Sequence, residues 1–191
     1  MKVIIVGAGI GGLTTYHSLR KHLANVLPTI KIYEAHLSPT AVASNIGGGL
    51  GIAPNGLRAI SSVCPDAVEF IKQRACSVDA LTFRNSSGQR LGRYSMAARY
   101  APTNFLMMRR ADVHWALLKD VPSGAVTWGL RVQSLHETAD GVQVQFEDGS
   151  SETADLVIGA DGVRSVVQRS LFGDKYPAMY EYVLQRFVLP Q

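Results

Sequence analysis

Cysteine is nearly absent from this 191-residue chain. Cys64 and Cys76 stand alone, without C-x-x-C spacing or a His/Cys cluster, which argues against a disulfide-stapled fold and against a metal site. Two such thiols read as buried and reduced, as in an intracellular, cytoplasmic protein. Long apolar runs are missing too. None approaches the ~20 residues of a membrane helix, and the opening MKVIIVGAGIGG breaks into glycines too early for a signal peptide. No membrane segment and no export are therefore expected. Charge of one sign is also scarce: 19 Lys and Arg against 15 Asp and Glu leave a formal +4, with the basic residues scattered. That pattern gives no basic stripe for nucleic acid and suits an anionic cofactor or substrate. The five histidines show no ligand spacing, His17 and His22 read as surface residues of the first helix, and no histidine is assigned chemistry. Repeats and low-complexity linkers are lacking.

What is present describes a folded body. With 47% hydrophobic and 18% charged residues the chain is globular, of a size that hides about 70% of its unfolded surface. Lys2–Val6 is a β-branched run, the mark of a strand buried on both faces of a parallel sheet. Leu13, Tyr16, Leu19 and Leu23 follow at helical spacing, and Thr29–Tyr33 forms a second strand ending at Glu34. Residues 38–56 read as a glycine-rich loop, followed by a helix from near Asn55 that carries Leu57 and Ile60. Residues 78–96 read as a hairpin around Asn85–Gly88. Residues 110–119 read as a helix with Ala111, Trp115 and Leu118 on one face, and 125–128 as a short strand. Strands at Leu130–Glu137, Val142–Glu147 and Glu152–Ile158, parted by Asp140-Gly141 and Asp148-Gly149, make a meander. The expected fold is α/β, a parallel sheet with helices on one face and the meander on the other.

Gly7, Gly9 and Gly12 form a G-x-G-x-x-G turn between a buried strand and an amphipathic helix. There a pyrophosphate can approach the backbone and meet the free N–H groups of the helix N-terminus. Glu34 ends the second strand about 20 residues on, where an acid accepts hydrogen bonds from the ribose hydroxyls of an adenosine and repels a 2′-phosphate. The ligand of this first site is FAD or NAD. The glycines of GGGLGIAPNG (47–56) read alone as a mobile loop; together with Glu34 they resemble a flavin-binding segment.

Five stretches in order, VIIVGAGIGGLTTYHSLRK, YEA, GGGLGIAPNGLRAI, MRRADVHWALL and LVIGADGVRSVVQ, resemble FAD-dependent aromatic hydroxylases, the single-component flavin monooxygenases similar to para-hydroxybenzoate and salicylate hydroxylases. The likeness covers residues 1 to about 172. It implies an FAD/NAD(P)-binding Rossmann-like domain (parallel sheet, β-meander crossover) with a fragment of the hydroxylase substrate domain, the 78–96 hairpin, inserted in it. By the same resemblance Gly7, Gly9 and Gly12 meet the pyrophosphate, Glu34 the ribose, and Gly47 and Gly48 the flavin half. Arg110 matches an arginine that binds FAD, and Val132 lies where backbone runs against the adenine. Asp161-Gly162 matches a motif that contacts FAD and the pyridine nucleotide. The implied chemistry is that of an oxidoreductase: NADPH or NADH reduces FAD, and one atom of dioxygen goes to an aromatic or polyketide-like small molecule of secondary metabolism.

The pattern also departs from the family. The Gly-Asp motif that is followed by Ala-Ala-His is absent, as is most of a substrate domain. Residues 173–191 make an atypical tail, which reads as C-terminal truncation. The expectation is a chain derived from a monooxygenase but weak or inactive. The rival reading is a catalytically inactive FAD-binding remnant or an interaction protein. A dehydrogenase reading lacks Tyr-x-x-x-Lys, since neither Tyr176 nor Tyr180 has a lysine four residues on.

Overall fold

Val3, Ile4 and Ile5 are wholly buried, and their alternation sets the layers of the fold. They belong to Lys2–Val6 (β1), whose side chains point to opposite faces in turn. Val3 and Ile5 join a core with Leu13, Ile32, Ala116 and Leu117. Ile4 and Val6 join a second one with Tyr33, Val144, Phe146 and Val167. A strand covered on both faces can carry no polar residue without loss, and each such side chain contributes about 1.5–3 kcal/mol when buried.

The structure is a computed structural model that describes residues 1–26, 29–45, 48–100 and 104–173. After β1 come Ile10–His22 (α1), Thr29–Glu34 (β2), Pro39–Asn45 (α2), Gly49–Ile52 (β3), Pro54–Val63 (α3) and Pro65–Arg74 (α4). Next are Cys76–Ser77 (β4), Ala80–Arg84 (β5), Arg90–Ser95 (β6), Met96–Tyr100 (α5), Leu106–Arg109 (β7) and Arg110–Leu118 (α6). Val126–Trp128 (β8), Val132–Thr138 (β9), Gly141–Phe146 (β10), Ser151–Ala154 (β11), Leu156–Gly159 (β12) and Val166–Phe172 (α7) follow. The main sheet has the order β12-β1-β2-β8, and every pair in it is parallel. The antiparallel meander β9–β10–β11 carries the chain from edge strand β8 to the opposite edge, β12. Its Phe146 packs on Tyr33 with ring centroids 4.5 Å apart. Its Glu152 is bonded by Lys2, Lys31 and the Tyr33 hydroxyl, which fastens the meander to β1 and β2.

Several expectations need correction. Residues 38–56 are not one loop. Ser38 accepts from the Ala41 N–H at the start of α2, and Gly49–Ile52 pairs antiparallel with β7. A Cβ at Gly51 would lie 2.4 Å from Phe105 Cζ, so the ring of Phe105 occupies the space this glycine leaves. The run from Glu152 to Ile158 is two strands. They are broken at Asp155, whose N–H reaches the Lys2 carbonyl and whose carboxylate accepts from the Lys2 N–H. Helix α6 buries Val113, His114, Ala116 and Leu117 and leaves Trp115 52% exposed. His17 is buried, with Nε2 against the Leu117 carbonyl at 2.7 Å. Cys76, on the two-residue edge strand β4, is exposed, whereas Cys64 is buried. Helix α7 packs on the meander side through Val167, so the helices are not all on one face.

The hairpin of residues 78–96 forms as β5–β6, paired only with itself among the described residues. Phe83 and Tyr94 on it are more than half exposed. Of the tail 173–191, all but Gly173 lies outside the described residues. No helix among the described residues is long and apolar enough to cross a membrane.

Candidate functional site

The turn from β1 to α1 is shaped by two close approaches. Gly7 has φ +101°, and a Cβ there would lie 2.5 Å from the Ala160 carbonyl oxygen. A Cβ at Gly12 would lie 1.9 Å from the oxygen of Gly7. Both positions exclude a side chain, which lets the turn fold tightly onto the end of β12. Gly9 differs: nothing lies within 4 Å of its would-be Cβ. It caps α1 without a side-chain hydrogen bond, and no acid occupies the first turn. The first turn of this 13-residue helix thus carries no acidic side chain to compete with a diphosphate for its free N–H groups.

Glu34 at the end of β2 is buried and well supplied with donors. Its Oε2 accepts from the Ala8 N–H at 2.8 Å. Its Oε1 accepts from the His36 N–H at 2.9 Å and faces His36 Nδ1 at 2.6 Å. Burial alone would raise this carboxyl, but the bonds from His36 and Ala8 outweigh it and hold the group below the usual carboxylate range. The acid is therefore ionised and pinned, one edge to the glycine turn and the other to His36.

Arg110 opens α6, and its N–H donates to the Gly48 carbonyl at 2.8 Å. Its guanidinium makes no ion pair or hydrogen bond among the described residues. The adjacent Arg109 is instead locked in two bonds to Asp112, at 2.8 and 2.9 Å, on the surface. Four residues after Arg110, His114 is buried and bonds the Ala8 carbonyl at 2.7 Å. Its burial, opposed by that bond, lowers its pKa, so it is a neutral strut between α6 and the glycine turn.

Asp161 turns its carboxylate inward. It accepts from the Ser165 hydroxyl and from the Val166 N–H, both at 2.6 Å. Ser165 in turn caps α7 by accepting from the Gln168 N–H. Gly162, at φ +78°, makes the turn between them. The Asp-Gly pair thus shapes the end of β12, and its acid serves the start of α7.

Gly7, Gly9, Glu34, Arg110, Val132, Asp161 and Gly162 all line one cleft of about 240 Å³, together with His36, Arg131 and Arg164. Gly12 lies behind it, against Gly7. Gly48 touches it through Arg110, and Gly47 lies outside the described residues. A wider, more open cleft adjoins, sharing Gly9, Arg110, Asp161 and Gly162. His36 is the site residue that sequence reasoning missed. A histidine two residues past a strand-end acid carries no periodic signal, and only its proximity to Glu34 pointed to it.

A parallel β-α-β unit whose glycine turn faces a helix end, with an acid closing the second strand, defines a dinucleotide-binding α/β fold. Comparison with known proteins sharpens this, although no family model matches the chain. The chain is 32% identical to 3-amino-4-hydroxybenzoate 2-monooxygenase of Streptomyces cremeus, a match covering 100% of the chain and 46% of that protein. It is 31% identical to 3-hydroxybenzoate 6-hydroxylase of Klebsiella oxytoca, over 99% of the chain and 47% of that protein. Among solved structures, Klebsiella pneumoniae HpxO complexed with FAD and uric acid superposes with a TM-score of 0.69 and 28% identity, covering 88% of this chain and 41% of that one. The chain is homologous to FAD-dependent aromatic hydroxylases. It spans a little under half the length of the curated relatives it matches.

Proposed function

We propose that this chain is the FAD-binding part of a flavin-dependent monooxygenase that hydroxylates an aromatic or polyketide-like small molecule with NADPH or NADH and dioxygen. The observation that carries the reading is one cleft lined by seven residues from five separate stretches: the glycine turn, Glu34, Arg110, Val132 and Asp161-Gly162. The residues suit the adenosine diphosphate half of FAD. Gly9 leaves open space at a helix end whose first turn has no acidic residue. Glu34 is ionised and keeps acceptor capacity for ribose. Arg110 offers a guanidinium with no hydrogen bond or ion pair among the described residues, and its planar fork matches phosphate oxygens. Val132, at the start of β9, lines the cleft where its backbone would run along the adenine. Bound there, FAD would supply the redox chemistry that activates dioxygen. The protein's own part is to hold the diphosphate at α1, fix the ribose by Glu34 and position the ring system against Gly48 and Arg110.

On this reading residues 1–172 form the FAD domain and the β5–β6 hairpin is a piece of substrate domain. A second reading is flavin binding without hydroxylation. Incubating the purified chain with FAD, gel filtration and an absorption spectrum test the shared premise. Retained bands near ~450 nm support it, and a folded, flavin-free peak contradicts it. NADPH or NADH oxidation that depends on an added aromatic acid and yields hydroxylated product then favours the first reading. Retained flavin without such product favours the second.

A further inference from the structure

His36 is anchored at every point but one. Its N–H and Nδ1 both meet Glu34 Oε1, at 2.9 and 2.6 Å, and its carbonyl accepts from the Gly129 N–H at 2.8 Å. Nε2 has no partner among the described residues. The side chain is one-third exposed, 33%, and lines the cleft beside Glu34 and Val132.

Counting acceptors shows why this matters. A carboxylate offers about four lone-pair positions. Oε1 of Glu34 takes two donors and Oε2 takes one, from Ala8. One position remains free, whereas a ribose presents two hydroxyls. The carboxylate is ionised and has no proton to give, so the hydrogen between it and His36 belongs to Nδ1. With the hydrogen on Nδ1, the uncharged form of the ring presents Nε2 as an acceptor.

We propose that His36 is a second ribose-recognising residue, with Glu34 Oε2 and His36 Nε2 each accepting from one hydroxyl of the adenosine cis-diol. This rests on the dinucleotide reading above. It adds that the acid does not bind the sugar alone: Glu34 sets the tautomer of His36, and His36 fixes the carboxylate plane.

The test is a coupling measurement on the full chain by calorimetry, using ADP, 2′-deoxy-ADP and 3′-deoxy-ADP. In the wild-type protein each deoxy analogue should bind about tenfold more weakly than ADP, the worth of one hydrogen bond. His36→Asn retains a donor near the Nδ1 position but removes Nε2. In that variant one deoxy analogue should bind as well as ADP does, while the other keeps its tenfold penalty through Glu34. Each variant is compared with itself, so a general loss of affinity does not blur the result. If His36→Asn binds no nucleotide, His36→Ala takes its place in the same comparison. Unchanged penalties for both analogues in the variant would overturn the role of His36 and leave the dinucleotide reading standing. Failure of the wild-type chain to bind ADP would overturn both.

Discussion

Replacing Gly12 and Gly9 by alanine, one at a time, separates folding from binding within a single turn. At Gly12 the new methyl carbon would sit 1.9 Å from the Gly7 carbonyl oxygen, 3.0 Å from the Gly7 carbonyl carbon and 3.4 Å from Ile5 Cγ2. Non-bonded carbons settle near ~3.5–4.0 Å, so the Gly7 carbonyl must retreat by more than about 1 Å. It has little freedom to do so. The Gly7 N–H is bonded to the Tyr33 carbonyl at 2.8 Å, and Ala160 blocks the other side. Overpacking costs about 1–3 kcal/mol, and where backbone must yield the upper end applies. For a chain of this size ~3 kcal/mol is a fall in melting temperature of about 6–12 °C. At Gly9 the backbone is extended, with φ −72°, and the methyl meets nothing within 4 Å. Gly9→Ala should melt at or slightly above wild type, because alanine restricts the unfolded chain by about 0.4–1 kcal/mol. It should nonetheless weaken FAD binding at least about tenfold by pushing a diphosphate off the helix end. Thermal unfolding by circular dichroism and FAD titration read the two effects. A Gly12→Ala protein melting within about 2 °C of wild type, or a Gly9→Ala protein binding FAD normally, would refute the reasoning.

Three further outcomes are expected. Arg110→Ala should keep its stability within about 0.5 kcal/mol yet lose roughly tenfold or more in FAD affinity, while Arg109→Ala leaves FAD affinity unchanged; titrations of the pair check this. Asp161→Ala removes the acceptor of two bonds at the start of α7 and should destabilise by about 0.5–2 kcal/mol, read from urea midpoints. Acidification should lower the urea midpoint in two steps. The unfolded chain protonates His114 below about pH 6.5 while the folded chain resists, and Glu34 adds stability that is present above about pH 4.3 and is lost as pH falls through its lower folded value. His114→Asn should remove the first step and Glu34→Gln should shrink the second, to which Glu152, held low by Lys2 and Lys31, also contributes.

The parts of the site legible in the sequence are those with local causes. Lys2–Val6 needs no context to read as a twice-covered strand, and Gly7, Gly9 and Gly12 stand where the first strand ends and the first helix begins. Glu34 follows from spacing alone. Other features depend on residues far apart in the chain. His17 and His114 read as ordinary helix residues, but their partners, the carbonyls of Leu117 and Ala8, lie 100 and 106 residues away. The strand Gly49–Ile52 is hidden in a glycine cluster because its ladder partner is β7 and its missing side chain makes room for Phe105. One local signal was available for the short helices: α2, α3 and α4 each begin with a proline, the residue whose missing N–H costs nothing in a helix's first turn. The face of α6 could not be read from hydrophobicity, since Trp115 is exposed and His114 buried.

The most direct test of the central claim compares FAD, ADP and FMN as ligands of the purified chain in competition titrations. If the cleft between Glu34 and the α1 end grips an adenosine diphosphate, ADP displaces FAD from a single site and FMN, which lacks the adenosine, does not compete. FMN binding as tightly as FAD, or ADP failing to displace FAD, would contradict the account.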